Sequence, residues 1–252
     1  MDLEPFDHWL GNAFYDLCFA SYIQNDLHET GFFTEFKCFY CLQALEKLLK
    51  SFLIYKNRIK TQNEAKQHSH QIAKLIQEVI NTANIPDLKN SICDISSEYY
   101  KKLYGYKGDF LLTETEVSHQ CEKTIQKWCD SHLVEQVKWY FYLLEQSYFE
   151  VRYPYEIPLP KDYSGGLLHD RDIEYLNVNI LITTIKLFRL ILSLFDKNDY
   201  EYLLQYTYTY QKDGYDEMTE KTKEVLERNE KLYMYLIGKS NKYAIDGIVS
   251  IN

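Results

Sequence analysis

Phe36-Lys37-Cys38-Phe39-Tyr40-Cys41-Leu42-Gln43-Ala44-Leu45-Glu46-Lys47-Leu48-Leu49-Lys50 separates its apolar and polar residues onto two faces of one helix. Cys38, Cys41, Leu42, Leu45, Leu48, Leu49 and, just beyond, Phe52 recur at steps of three and four, the spacing that a helix packed into a core requires. Gln43, Glu46, Lys47 and Lys50 fall on the other side. A polar helix face is ordinarily a solvated one, and any functional role for the stretch begins there.

Outward from this helix, proline and glycine mark where others stop. The five prolines stand at 5, 86, 154, 158 and 160, and the glycines other than Gly11 at 31, 105, 108, 165, 166, 214, 238 and 247. Such breakers predict long helices between them. The first runs from near Pro5 to about Ile23, and the quoted helix from somewhere after Gly31 to about Tyr55. A polar connection, 56–67, follows. Ile72, Leu75, Ile76, Val79 and Ile80 predict a helix over 70–82, ended by Asn84-Ile85-Pro86 because a residue before proline avoids the helical region. Leu88, Ile92, Ile95, Tyr99 and Leu103 predict another.

A loop is expected over 105–112. Thr113-Glu114-Thr115-Glu116 then has the form of a capping box opening a long helical region. That region carries Ile125, Trp128, Val134, Val137, Phe141, Leu144 and Tyr148, with a break near Asp130-Ser131. Three prolines and two glycines exclude regular helix across 151–166. Asp170 or Asp172 can cap the next and most apolar helix, which reaches Phe195. Asp199–Tyr210 and Tyr215–Ile237 read as two more helices, although the Tyr/Thr alternation of 206–210 also fits a short strand. The last helix is charged, with Met218, Val225, Leu232 and Leu236 as a thin apolar line, and reads as a cover or a partner-binding arm. The expected fold class is all-α: a helical bundle over 1–196 and a helical extension over 197–252 that packs on the bundle or on a partner.

A chain of 252 residues can bury one substantial core, and its 46% hydrophobic and 26% charged residues are ordinary for a globular protein. The net charge of −9 argues against the broad basic footprint of a non-specific nucleic-acid binder, but leaves room for a local basic cleft. Tyrosine is abundant, at 24 residues, which half-buried helix faces explain more simply than a stacking surface for bases. The six cysteines are scattered through helical patterns and read as reduced core residues, which suits a cytoplasmic protein. The first residues are acidic and lack an apolar signal segment, and the most apolar helix is interrupted by Asn177, Asn179, Lys186 and Arg189, so no membrane span is expected.

The chain lacks a glycine-rich phosphate loop, a G-x-S-x-G elbow and an H-E-x-x-H pair. Cys38 and Cys41 form a lone C-x-x-C, but both lie on the apolar helix face with no second pair, so neither a metal nor a cofactor is expected. In His68-Ser69-His70 the two imidazoles would point far apart on a helix and could share a metal only from an extended backbone. A helix start or loop is the setting expected for them, with His70 either a first-turn polar residue or part of a cleft. Arg152-Tyr153-Pro154 sets an arginine between a long helix and a rigid proline. Its fork suits a phosphate or carboxylate, and equally the carbonyls at the helix end.

Four of these segments together carry a resemblance. Trp9, Ala13, Asp16, Leu17 and Ala20, then Cys41–Lys50, then His68-Ser69-His70-Gln71-Ile72, then Arg152-Tyr153-Pro154-Tyr155 resemble, in this order, the HEPN domain family, named as nucleotide-binding domains of higher eukaryotes and prokaryotes. The resemblance spans about 7–155 and leaves the last 55 or so residues uncovered. It implies an up-and-down helical bundle, frequently a homodimer, with nucleotide or RNA binding. Many members are metal-independent ribonucleases or toxins, encoded beside a minimal nucleotidyltransferase that serves as antitoxin.

The family's catalytic signature is an arginine, four to six residues and a histidine. Here the first histidine after Arg152 is His169, and Arg58, Arg171, Arg189 and Arg228 have none at the right distance. The resemblance thus implies a non-catalytic, dimeric binding protein within a toxin–antitoxin or defence system, whose cleft uses Lys47, Lys50, His70, Arg152 and Tyr153 on a nucleotide, RNA or acidic partner. The alternative is a divergent ribonuclease in which Arg152 clamps phosphate and His70 moves the proton. A third reading is a structural adaptor that pairs through the extension.

Overall fold

The computed structural model describes residues 5–26, 32–67, 70–105, 116–152, 173–213 and 220–239. Among them are ten helices and no strand: α1 Phe6–Asp26, α2 Phe32–Tyr55, α3 Gln62–Gln67, α4 Ile72–Ala83, α5 Leu88–Gly105, α6 Glu116–Trp128, α7 Val134–Arg152, α8 Ile173–Leu192, α9 Lys197–Asp213 and α10 Glu220–Leu236. The protein is an all-α helical bundle.

The apolar spacing of the quoted stretch puts α2 at the centre. Cys38, Cys41, Leu42, Leu45, Leu48, Leu49 and Phe52 are all buried, and α2 packs against α1, α4, α7 and α8. Enclosure by four helices also buries the other side of α2. Glu46 and Lys50 are only 5% and 3% exposed, and Lys37 and Ser51 are buried as well. The polar face is therefore internal at Glu46 and Lys50, while Gln43 and Lys47 are half-buried.

The neighbours are held in definite directions. Asp16 pairs with Lys47, and the Phe6 carbonyl accepts from Ser51 Oγ at 2.8 Å, so α1 runs antiparallel to α2. Cys41 bonds Thr184, and the Phe52 and Phe195 rings meet edge-on with centroids 5.5 Å apart, so α8 runs parallel to α2. Between α7 and α8 the Tyr140 hydroxyl lies 2.7 Å from Thr184 Oγ1, which itself donates to the Ile180 carbonyl. Tyr140 is thus the donor of that pair, since a threonine hydroxyl has a single proton.

Several helix ends fall beside the expected breakers: α1 begins at Phe6, just after Pro5, α5 ends at Gly105 and α10 ends two residues before Gly238. α4 stops at Asn84, whose left-handed backbone (φ +50°) lets its N–H reach the Ile80 carbonyl at 3.2 Å. The break near Asp130-Ser131 separates α6 from α7, and 206–210 is helix rather than strand. One helix was not expected. α3 interrupts the polar connection, and it is opened by Thr61 Oγ1 accepting from the Glu64 amide (3.2 Å), while the Glu64 carboxylate accepts from the Lys60 amide (2.7 Å). The loop over 106–112, the Thr113-Glu114-Thr115 start of the capping box, the proline-rich run from 153 and the caps Asp170 and Asp172 lie outside the described residues.

Beyond Phe195 the chain packs back on the bundle. α9 and α10 touch α1, and α10 also touches α8. Arg228 donates to the Ser21 carbonyl (3.2 Å), Arg189 lies over the Tyr235 ring, and the Tyr208 and Tyr233 rings stack between the two helices. α10 buries Leu226, Leu232, Tyr233, Tyr235 and Leu236, a broader face than the thin line of its sequence, while Val225 is half-buried and Met218 lies outside the described residues.

Candidate functional site

His70 lies two residues ahead of α4 with φ at +62°, the left-handed region. For a residue with a side chain this conformation costs about 1–2 kcal/mol. Two bonds to one oxygen offset it. The His70 backbone N–H and ring Nδ1 lie 3.3 and 2.9 Å from Glu46 Oε2.

Glu46 is on the inner polar face of α2, and its second oxygen, Oε1, accepts from Lys50 Nζ at 2.6 Å, one turn further along. The Lys50 ammonium also stands 5.5 Å from the centre of the Trp9 ring on α1. Burial by itself would raise the Glu46 pKa. The His70 hydrogen bond and the Lys50 charge outweigh it and hold the carboxyl below its ordinary value. An ionised carboxylate can only accept, so the proton in the Glu46–His70 pair sits on Nδ1. The far ring nitrogen, Nε2, has no hydrogen-bond partner among the described residues, and the side chain is 21% exposed.

The imidazole plane is fixed from α7. It stacks on Tyr148 with ring centroids 3.3 Å apart and planes 20° from parallel, and Tyr148 in turn stacks with Phe39 of α2. One turn before Tyr148 on the same helix is Glu145, also buried. Gln71, at the cap position of α4, makes no side-chain cap bond. Glu145 does that work from across the bundle: its carboxylate accepts from the Ala73 amide at 3.2 Å and also from Ile72. Among the described residues no cation offsets its burial, which pushes it up to about 7 despite the two amides.

Of the residues singled out in the sequence, the structure brings Lys50 and His70 together on Glu46. Lys47 is paired elsewhere, 2.5 Å from Asp16 on α1. Arg152 closes α7 one turn beyond Tyr148. Its side chain and all of Tyr153 lie outside the described residues. Three participants were not singled out as site residues. Glu46 was visible only as a member of the polar face. Its opposite charge one turn from Lys50 was the available signal. Glu145 and Tyr148 carried none, because what they meet lies more than 70 residues away in the chain.

The arrangement is an imidazole with one edge clamped by a carboxylate and the other without a partner among the described residues. Such a ring can donate to an anionic oxygen when protonated, or move a proton when neutral. Among the described residues no group of three or more His, Cys, Asp or Glu could hold a metal, and no helix is long and apolar enough to cross a membrane. Comparison of the chain with protein-family models, with curated proteins and with solved structures found no match.

Proposed function

We propose that the chain is a HEPN-like, non-catalytic binding protein that acts as a homodimer and holds a phosphate of a nucleotide or RNA at the open edge of His70. The observation that carries this reading is the clamped, partly exposed imidazole beside the end of α7, where Arg152 follows Tyr148 by one turn. In this reading His70 and Arg152 contact the ligand, with Lys47 and Tyr153 at the margin, and Lys50 acts through Glu46. An acidic partner protein would be held by the same groups. The sequence resemblance makes a minimal nucleotidyltransferase the expected partner, within a toxin–antitoxin or defence system. A reading frame for one beside this gene, and co-purification, are the checks.

The test is the dissociation constant for a labelled oligoribonucleotide and for free nucleotides. Arg152→Ala and His70→Ala should each weaken binding by about tenfold or more, the usual loss when a hydrogen bond to a charged group is removed. Equal affinity in wild type and Arg152→Ala would remove the proposal.

The Glu46–His70 pair favours a second reading, a metal-independent ribonuclease. A carboxylate that fixes the Nδ1 proton leaves Nε2 free to take a proton from a 2′-hydroxyl, with Arg152 on the phosphate. It predicts cleavage of single-stranded RNA in EDTA with 2′,3′-cyclic phosphate ends, lost in His70→Ala. Wild type that leaves total RNA intact at high enzyme concentration rules it out.

A further inference from the structure

Apart from the His70 site, two sulfurs face each other across helices that are distant in sequence. Cys93 Sγ, in the first half of α5, lies 3.1 Å from Cys129 Sγ, and also points toward the Trp128 carbonyl. A disulfide brings two sulfurs to about 2 Å, so closure asks for roughly 1 Å of approach. The place can give that much. Cys129 is the first residue after α6, and Asp130, Ser131 and His132, which carry the chain to α7, are all exposed. The approach can therefore come from a turn, where a helix-to-helix pair inside the core would have to shift packed elements. All six cysteines are thiols in the structure.

We propose that Cys93 and Cys129 form a reversible redox pair, oxidised by a low-molecular-weight disulfide to a bridge that ties α5 to the α6–α7 junction. Cys129 reacts first, because it borders the exposed turn. Its thiol gives its proton to solvent, and the sulfur attacks one sulfur of the reagent. The reagent's S–S bond breaks, and one thiolate leaves and takes up a proton. Cys93, once deprotonated, attacks Cys129 Sγ in the mixed disulfide and displaces the second reagent thiolate. Two thiols and one reagent disulfide become one protein disulfide and two reagent thiols. The protein loses two electrons and two protons, and the reagent gains them. Burial above all holds both thiols above their usual range, with the Asp130 charge adding to it. The exchange is therefore slow at neutral pH and faster as pH rises.

The experiment incubates the folded chain with excess oxidised glutathione at mildly alkaline pH, then unfolds it, alkylates every remaining thiol and maps the peptides. The expected result is a chain lighter by two hydrogens, with two fewer alkylated thiols and a Cys93–Cys129 cross-linked peptide. The bridged form should melt several degrees higher, since the bridge closes a long loop in the unfolded chain. Cys129→Ser should show no mass loss, and Cys93→Ser should stop at the mixed disulfide on Cys129. The wild-type peptide map decides the matter even if a variant folds poorly. All six thiols still alkylated after prolonged incubation, or a bridge between other cysteines, would overturn the proposal. None of these outcomes depends on what binds at His70.

Discussion

Glu46 on α2 and Glu145 on α7 are both buried, and both accept from the backbone at the start of α4, yet their acidities move in opposite directions. Glu46 has an ammonium and an imidazole against its oxygens and stays ionised. Glu145 has only amides among the described residues, and burial pushes it up to about 7. The difference shows that depth of burial does not decide the charge of a carboxyl. What decides it is whether a full positive charge shares the site, because backbone dipoles recover only part of the lost hydration. One carboxylate thus anchors an ion cluster at the candidate site, while the other caps a helix and is about half protonated near pH 7.

The comparison is broken most directly at Glu46. Glu46→Ala would leave Lys50 buried without its counter-charge and remove both bonds that hold His70 in its left-handed conformation. Deleting one partner of a buried pair costs about 3–5 kcal/mol, so the urea midpoint should fall steeply. A variant that unfolds at the wild-type midpoint would mean that Lys50 reaches water, and the contrast with Glu145 would fail.

The acidities give a second, slightly smaller test. The folded Glu145 value of about 7 lies above its ordinary 4.5, so the folded state binds the extra proton between those values. Its contribution is fully present below 4.5 and is lost as pH rises to about 7, a change of about 3 kcal/mol. Glu46 is depressed, so its contribution is present above the ordinary carboxylate range and lost as pH falls below it. Glu145→Gln, whose amide oxygen can still accept from Ala73, should flatten the stability profile between 4.5 and 7, and Glu46→Gln should flatten it below 4.5. Denaturant midpoints measured across pH check both. A Glu145→Gln profile with the wild-type slope would show that the carboxyl is not buried as a cap.

How far the sequence led follows from the same two residues. The apolar positions of α2 were legible because period and burial coincide there, from Cys38 to Phe52. Its polar positions were not, since Gln43, Glu46, Lys47 and Lys50 have the same spacing whether they face water or buried partners. Only packing by α1, α4 and α7 distinguishes the two. The stop of α4 at Asn84 was legible from Pro86. The start of α3 has a capping box in Thr61-Gln62-Asn63-Glu64, but no apolar period accompanies it, and only Ala65 in that helix is buried. The cap supplied by Glu145 and the stack supplied by Tyr148 were beyond local reading. Both depend on α7 crossing the start of α4, and no spacing within either segment encodes that crossing.

The smallest expected effect is the coupling between the two carboxylates, and it tests whether they are two local devices or one. The causes that shift Glu46 are burial, His70 and Lys50, while those that shift Glu145 are burial and the amides of Ala73 and Ile72. The sets of partners do not overlap, and the amides they hold, His70 for one and Ile72 and Ala73 for the other, are not shared. In a double-mutant cycle of Glu46→Gln and Glu145→Gln, the stability losses should therefore add to within about 0.5 kcal/mol. Glu46→Gln with His70→Ala, whose side chains touch, should couple by about 1 kcal/mol or more and serves as the positive control. Coupling of that size between the two carboxylates would mean that the start of α4 transmits a change from one to the other. Their opposite acidities would then be one linked titration, and protonation of Glu145 near neutral pH would reach the imidazole of His70.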